Sequence, residues 1–226
     1  IRRRSERKLH FLCVNVDVLT ESKFLAIART QQKYDVILVS ETQQPSMAHL
    51  QHPEWHLFWE PCEKGAAGGH SGGVAIMVRN NKELEMYQRV ETPFPSKMIA
   101  VKHTQPKKGS VVFAACYRNG AMSAGDDADF FRGMQAWAAK LNKQGSALVC
   151  GGDFNIDMRP GSRNTTDAQR CMVSAALGES GLSIISREGR WETSITRRPY
   201  GPRQTGQAGS QIDWILANNK AVSQHN

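Results

Sequence analysis

Ala147, Leu148, Val149 and Cys150 form an unbroken apolar run that leads straight into Gly151, Gly152, Asp153, Phe154 and Asn155. The order reads as a buried strand that ends in two glycines, where the backbone can turn sharply and present an acid and an amide two residues apart. Carboxyl ends of strands are where α/β proteins gather their chemistry. A carboxylate can take a proton from water and an amide NH2 can donate to an oxygen, so the pair suits a phosphate. The same two residue types also suit an ordinary turn.

An apolar run closed by polar residues recurs along the chain. Residues 9–14 read as a strand ending at Asn15, Val16 and Asp17, and Thr20 can cap a following helix with Phe24, Leu25, Ile27 and Ala28 on its apolar face. Val36, Ile37, Leu38 and Val39 form a second buried strand that hands Glu41 to its end. A third strand is expected over 72–79, behind a glycine-rich segment, 65–73. That segment lacks the Gly-Lys-Ser/Thr ending of a phosphate-binding loop and reads as a flexible connection. Strands over 98–102 and 111–116 can pair through a turn at 106–109. Phe130, Phe131, Met134, Trp137, Ala138 and Leu141 recur at helical spacing and predict a core-facing helix. A helix over 167–177 capped by Thr166 and strands over 183–186 and 212–216 complete the order. Strands outnumber helices and several follow one another directly, which predicts a mixed α/β domain rather than a doubly wound parallel sheet.

The 226 residues suffice for one well-packed domain, and no repeat, low-complexity tract or Pro/Ser-rich linker divides residues 1–226. Residues 1–8 form an arginine-rich tail with no apolar stretch behind it, unlike a secretory signal. The tail reads equally as a phosphate contact or as a disordered end, and the missing initiator methionine predicts a segment excised from a longer protein. No apolar run is long enough to span a bilayer. Five cysteines in an odd count, with no Cys-x-x-Cys spacing, predict reduced thiols in an intracellular protein. A formal charge of +8 points to a polyanionic partner, nucleic acid above all. Arg187, Arg190, Arg197, Arg198 and Arg203 alternate with Trp191, Tyr200 and small polar residues. Arginines reach phosphates and aromatic rings stack on bases, so this stretch reads as a nucleic-acid-contacting loop or as a solvated surface loop.

Collected from the strand ends, the polar residues are Asn15, Asp17, Glu41, Tyr117, Asn119, Asp153, Asn155, Asp213 and His225. Acids and amides directly behind buried runs are costly unless they are satisfied or used. Glu41 suits a hard divalent cation, since Mg²⁺ takes one or two carboxylates and otherwise keeps water and substrate phosphate. Asp213, a lone acid in an apolar strand, calls for a partner, and a histidine is a good one. Taken singly, each residue reads as well as a turn, a cap or a satisfied polar group.

Their sequence order resembles the endonuclease/exonuclease/phosphatase superfamily, which includes pancreatic-type DNase, exonuclease III-like apurinic endonucleases and the endonuclease domains of LINE-type (non-LTR) retrotransposons. The matching pieces are Asn15-Val16-Asp17, Ser40-Glu41-Thr42, Cys116-Tyr117-Arg118-Asn119, Gly152-Asp153-Phe154-Asn155, Ser210-Gln211-Ile212-Asp213 and Ser223-Gln224-His225. They run from near the first residue to the penultimate one. The resemblance implies a DNase I-like four-layer sandwich, two packed mixed β-sheets flanked by helices. It also implies roles: Glu41 would hold Mg²⁺, or Mn²⁺ in its place, with Asn15 and Asp17 close to the metal. Asp153 would deprotonate the attacking water, Asn155 and Tyr117 would grip the scissile phosphate, and His225, oriented by Asp213, would stabilise the transition state. Arg118 and Asn119 would join the arginine-rich loop on DNA. The chain departs from the family at Gln224, where an aspartate is usual, which puts the strength of the cation site in doubt.

Within the superfamily, the compact, basic chain and its Ile212-Asp213-Trp214-Ile215-Leu216 strand most resemble the retrotransposon branch. That implies a monomeric nickase of double-stranded DNA, acting in the nucleus without a membrane. It would leave a 3′-hydroxyl for a reverse transcriptase domain of the same full-length protein. The alternatives are an apurinic/apyrimidinic repair endonuclease and a DNA-binding domain with impaired catalysis.

Overall fold

The structure, a computed structural model, describes residues 9–64, 68–80, 86–105, 109–120, 122–158, 165–185 and 213–223. The chain begins with β1 (Phe11–Asn15), α1 (Glu21–Thr30) and β2 (Val36–Ser40). Next come β3 (Trp55–Glu60), the short β4 (Glu63–Lys64) and β5 (His70–Ser71), and β6 (Val74–Arg79). A second group holds β7 (Tyr87–Val90), β8 (Met98–Gln105), β9 (Gly109–Tyr117), α2 (Ala124–Lys143) and β10 (Ser146–Asp153). The chain closes with α3 (Asp167–Ser180), β11 (Leu182–Ile184), β12 (Asp213–Asn218) and α4 (Asn219–Ser223).

Two mixed sheets result. One has the order β1-β2-β6-β3 with β1 parallel to β2; the other has the order β11-β12-β10-β9-β8-β7 with β9 parallel to β10. Val36, Leu38, Ile76 and Val78 of the first sheet pack against Ile99, Val101, Phe113, Ala115 and Val149 of the second. The outer faces are covered by helices. Phe24 and Ala28 of α1 lie on Ile37, Val39, Ala75 and Met77, while Phe130, Met134, Trp137 and Leu141 of α2, with Val173 and Leu177 of α3, lie on Leu148, Cys150 and Leu216. Burial on both faces explains why β2 and β10 are continuous apolar runs. Thr20 accepts from Lys23 N to start α1, and capping boxes at Ser123 and Thr166 start α2 and α3.

The expected helices and central strands are present, and β8 and β9 pair antiparallel as anticipated. Four strands escaped the sequence reading: the two-residue pair β4 and β5, and the longer β3 and β7. β3 alternates, with Trp55, Leu57 and Trp59 in the α1-side cluster and Phe58 in the inter-sheet core, a period of two that was available to find. β7 is a short edge strand with exposed Gln88 and Arg89, too polar to register as a buried run. The five cysteines are free thiols. No helix among the described residues is long and apolar enough to cross a membrane.

Gly152 sits where β10 touches β9, and a Cβ there would lie 1.8 Å from the Cys116 carbonyl oxygen. Backbone cannot yield as a flexible side chain can. Gly152→Ala is expected to cost more than about 3 kcal/mol in urea unfolding, because the strands must separate. A loss under about 1 kcal/mol would contradict the close β9–β10 approach.

Candidate active site

Strand register builds the site. Asp153, the last residue of β10, lies opposite Tyr117 on one side and Asp213 on the other. In the facing sheet Asn15 lies opposite Ser40, and Glu41 comes next. Asn15 joins the two sheets: its Nδ2 donates to Asp153 Oδ2 and to Asp213 Oδ1, both at 3.3 Å. The backbone N–H of Asn155 donates to Asp153 Oδ1 at 2.8 Å, so both oxygens of that carboxylate are held.

The loops around this row are unusual. Asp17, Val18, Glu41, Gln43 and Asn155 all have positive φ without being glycine, a conformation that costs energy and gathers at functional sites. Main-chain bonds hold them there: Val18 N to Glu41 O, Leu19 N to Thr42 O, Thr42 N to Gly73 O and Gln43 N to Gly72 O. Gln43 Nε2 donates to Asp17 Oδ1 at 3.2 Å, and Lys23 Nζ donates to the carbonyls of Val16 and Asp17. The described part of the glycine-rich segment is therefore no loose connection, contrary to the sequence expectation. A Cβ on Gly72 would meet the Tyr117 ring at 2.7 Å, and Ser71 Oγ lies 3.1 Å from the Tyr117 hydroxyl. Glycine lets this segment wall the site and aim the tyrosine.

Asp153 is 1% exposed, and its carboxyl is pushed up to about 8. Burial is the largest cause, followed by the carboxylates of Asp213 and Glu41, while the Asn155 N–H opposes the shift. Below them the Cys13 thiol is pushed up by burial and by the same two aspartates. Three acids crowded together in a poorly solvated place favour a divalent cation. No three described His, Cys, Asp or Glu side chains form a ready metal cage. Mg²⁺ needs none, since it keeps waters and substrate oxygens beside one or two carboxylates. The donor set therefore fits a hard cation.

Asn15, Glu41, Tyr117, Asp153, Asn155 and Asp213 lie together, and Asp17 stands beside them through Gln43. Arg118 requires correction. Its side chain is 1% exposed and ion-paired with Asp127, so it cannot lie on DNA. Asn119 is half-buried at the turn into Gly120, which approaches the Asn155 side chain. His225, Gln224 and Arg187, Arg190, Arg197, Arg198 and Arg203 lie outside the described residues. Ser71 and Gly72 were missed, although Gly72-Gly73 directly before an apolar strand repeats the Gly151-Gly152 pattern in mirror order.

A sequence profile described as the Endonuclease/Exonuclease/phosphatase family matches residues 13–226. No curated protein sequence matches the chain. Among solved structures, the endonuclease domain of TRAS1, a telomere-specific non-LTR retrotransposon, is similar, with a TM-score of 0.63 and 17% identity over 96% of this chain and 88% of that one. The catalytic domain of Xenopus laevis APE2 has a TM-score of 0.68 at 12% identity, over 95% and 84% of the two chains. The 3′ phosphatase NExo from Neisseria has 0.63 at 17%, over 94% and 87%. Such identities show a shared fold.

The Asp153 shift has a consequence for stability. Between its ordinary 3.8 and about 8, the folded protein holds a proton that the unfolded chain has released. Stability must therefore fall as pH rises through that window. In EDTA the melting temperature of the wild type is expected to drop from pH 5 to pH 8.5 more steeply than that of Asp153→Asn, the variant gaining on the order of a few kcal/mol at the upper end. Parallel curves would contradict the crowded-acid description.

Proposed function

Because the chain belongs to the endonuclease/exonuclease/phosphatase family, whose members hydrolyse phosphodiesters or phosphate esters, we propose that it is a Mg²⁺-dependent DNA endonuclease. It nicks one strand of a target duplex and leaves a 3′-hydroxyl that primes reverse transcription of a retrotransposon. The observation that carries the reading is the row Tyr117–Asp153–Asp213, with Asn15 bridging to both acids.

Phosphodiester cleavage needs an in-line water, a base and positive charge near the non-bridging oxygens. Glu41, with Asn15 and Asp17 beside it, would hold Mg²⁺ or Mn²⁺, and the bound ion supplies that charge. Asp153 takes the proton from the attacking water. It must be ionised to do so, and positive charge at the site counters the burial and the Asp213 and Glu41 carboxylates that hold it protonated. Asn155 Nδ2 donates to Arg118 O at 2.8 Å, which fixes the amide's orientation toward the phosphate. The Tyr117 hydroxyl, aimed by Ser71, takes another phosphate oxygen. His225, with Asp213 to orient it, would contact the phosphate oxygens and stabilise charge in the transition state.

Similarity to the TRAS1 endonuclease domain and a formal charge of +8 support a retrotransposon nickase, with double-stranded DNA as partner, a reverse transcriptase in the full-length protein and a nuclear site of action. Similarity to the APE2 catalytic domain supports a second reading, an apurinic/apyrimidinic repair endonuclease. Supercoiled plasmid separates the two. Nicking of undamaged DNA with Mg²⁺ and none with EDTA is expected, with Asp153→Ala slower by roughly 10³-fold or more. Cleavage confined to abasic sites would favour the repair enzyme, and undiminished nicking by Asp153→Ala would remove the assigned base.

A further inference from the structure

Arg118 follows Tyr117 at the end of β9, yet its guanidinium turns inward beneath the turn that carries Asp153 and Asn155. Its Nε donates to Asp127 Oδ1 at 2.8 Å and Nη2 donates to the same oxygen, while Gln169 Nε2 donates to Asp127 Oδ2 at 3.1 Å. Nη1 points the other way, donating to the Phe154 carbonyl at 3.1 Å and reaching the Asn155 carbonyl at 3.5 Å. The main chain of Arg118 adds two more contacts: its N–H donates to Asp153 O at 2.8 Å, and its carbonyl accepts from Asn155 Nδ2. One residue thus holds the turn at the carbonyls of Asp153, Phe154 and Asn155 and at the Asn155 amide.

Asn155 has φ 50°, a conformation that surrounding structure must enforce in a residue with a side chain. Asp127 is fully buried in the first turn of α2, where the helix dipole favours its charge. Taking two charges out of water is costly, and an apolar pair of similar size would join α2 to the sheet about as well. An apolar pair could not donate to main-chain carbonyls. We propose that the buried Arg118–Asp127 pair, supported by Gln169, is a positioning device that locks the Asp153–Asn155 turn in its catalytic geometry.

The proposal rests on the phosphodiesterase reading for its kinetic test but not for its structural one. Arg118→Met/Asp127→Leu replaces the pair with apolar side chains of comparable volume. Its melting temperature should stay close to wild type, while kcat falls roughly 10- to 100-fold at nearly unchanged KM, as for a displaced reacting group. Hydrogen exchange of the Asn155 side-chain amide, followed by NMR without substrate, should accelerate at least about tenfold. Arg118→Lys keeps the buried charge but lacks the fork, so it should lose kcat and amide protection in the same way. It serves as the test if the double variant does not fold. Wild-type kcat and wild-type amide exchange in a folded variant would reduce the pair to structural cement and overturn the proposal. Wild-type protein inactive on both plasmid and bis(4-nitrophenyl) phosphate would overturn the nuclease reading, and the amide exchange would still decide the positioning claim.

Discussion

The pairing of β10 with β9 and β12 is the constraint on which the rest depends. It sets Asp153 between Tyr117 and Asp213, and a slip of one residue would turn Asp153 to the opposite face and leave Gly152 in its place. The glycines make this pairing and the approach of the facing sheet possible. A Cβ on Gly151 would meet Cys13 Sγ at 2.9 Å, across the gap between sheets. With that gap narrow, a side chain as short as Asn15 can cross it and bond to both aspartates. Register and spacing together place the acids.

The site is expensive for the fold that carries it. Asp153 is buried beside two other carboxylates, and non-glycine residues at Asp17, Glu41, Gln43 and Asn155 hold left-handed backbone. Stability comes from elsewhere, in three apolar clusters between the sheets and beneath the helices. Main-chain bonds from the Gly72–Gly73 segment and the Arg118–Asp127 pair transmit that rigidity to the strained turns. Phe154 anchors the turn from below, stacked on Trp214 with ring centroids 4.8 Å apart. Division of labour of this kind lets reactive groups converge without unfolding the domain.

Much of this was legible in the sequence because burial on both faces of a sheet writes continuous apolar runs. The apolar runs at 36–39 and 147–150 and the helical spacing from Phe130 to Leu141 located β2, β10 and α2, and the polar residues that close the runs named the candidate site. Pairing was not legible, since nothing local distinguishes which strand lies beside β10. The fate of Arg118 was hidden for a related reason: an arginine after a strand reads as a surface contact until its partner, Asp127 on another element, is known. Likewise the 65–73 segment read as flexible because glycine content says nothing about what approaches it, here Tyr117.

In the proposed site, a cation held by Glu41, with Asn15 and Asp17 beside it, would convert the neighbouring Asp153 from an acid into a base. Calorimetry of Mn²⁺ binding at pH 7, repeated in buffers of different ionisation enthalpy, measures this through the protons released. With Asp153 near 8 in the free protein, the account predicts one site that releases close to one proton, and a release lost in Asp153→Asn. Absence of binding, or binding with no proton released, would contradict it.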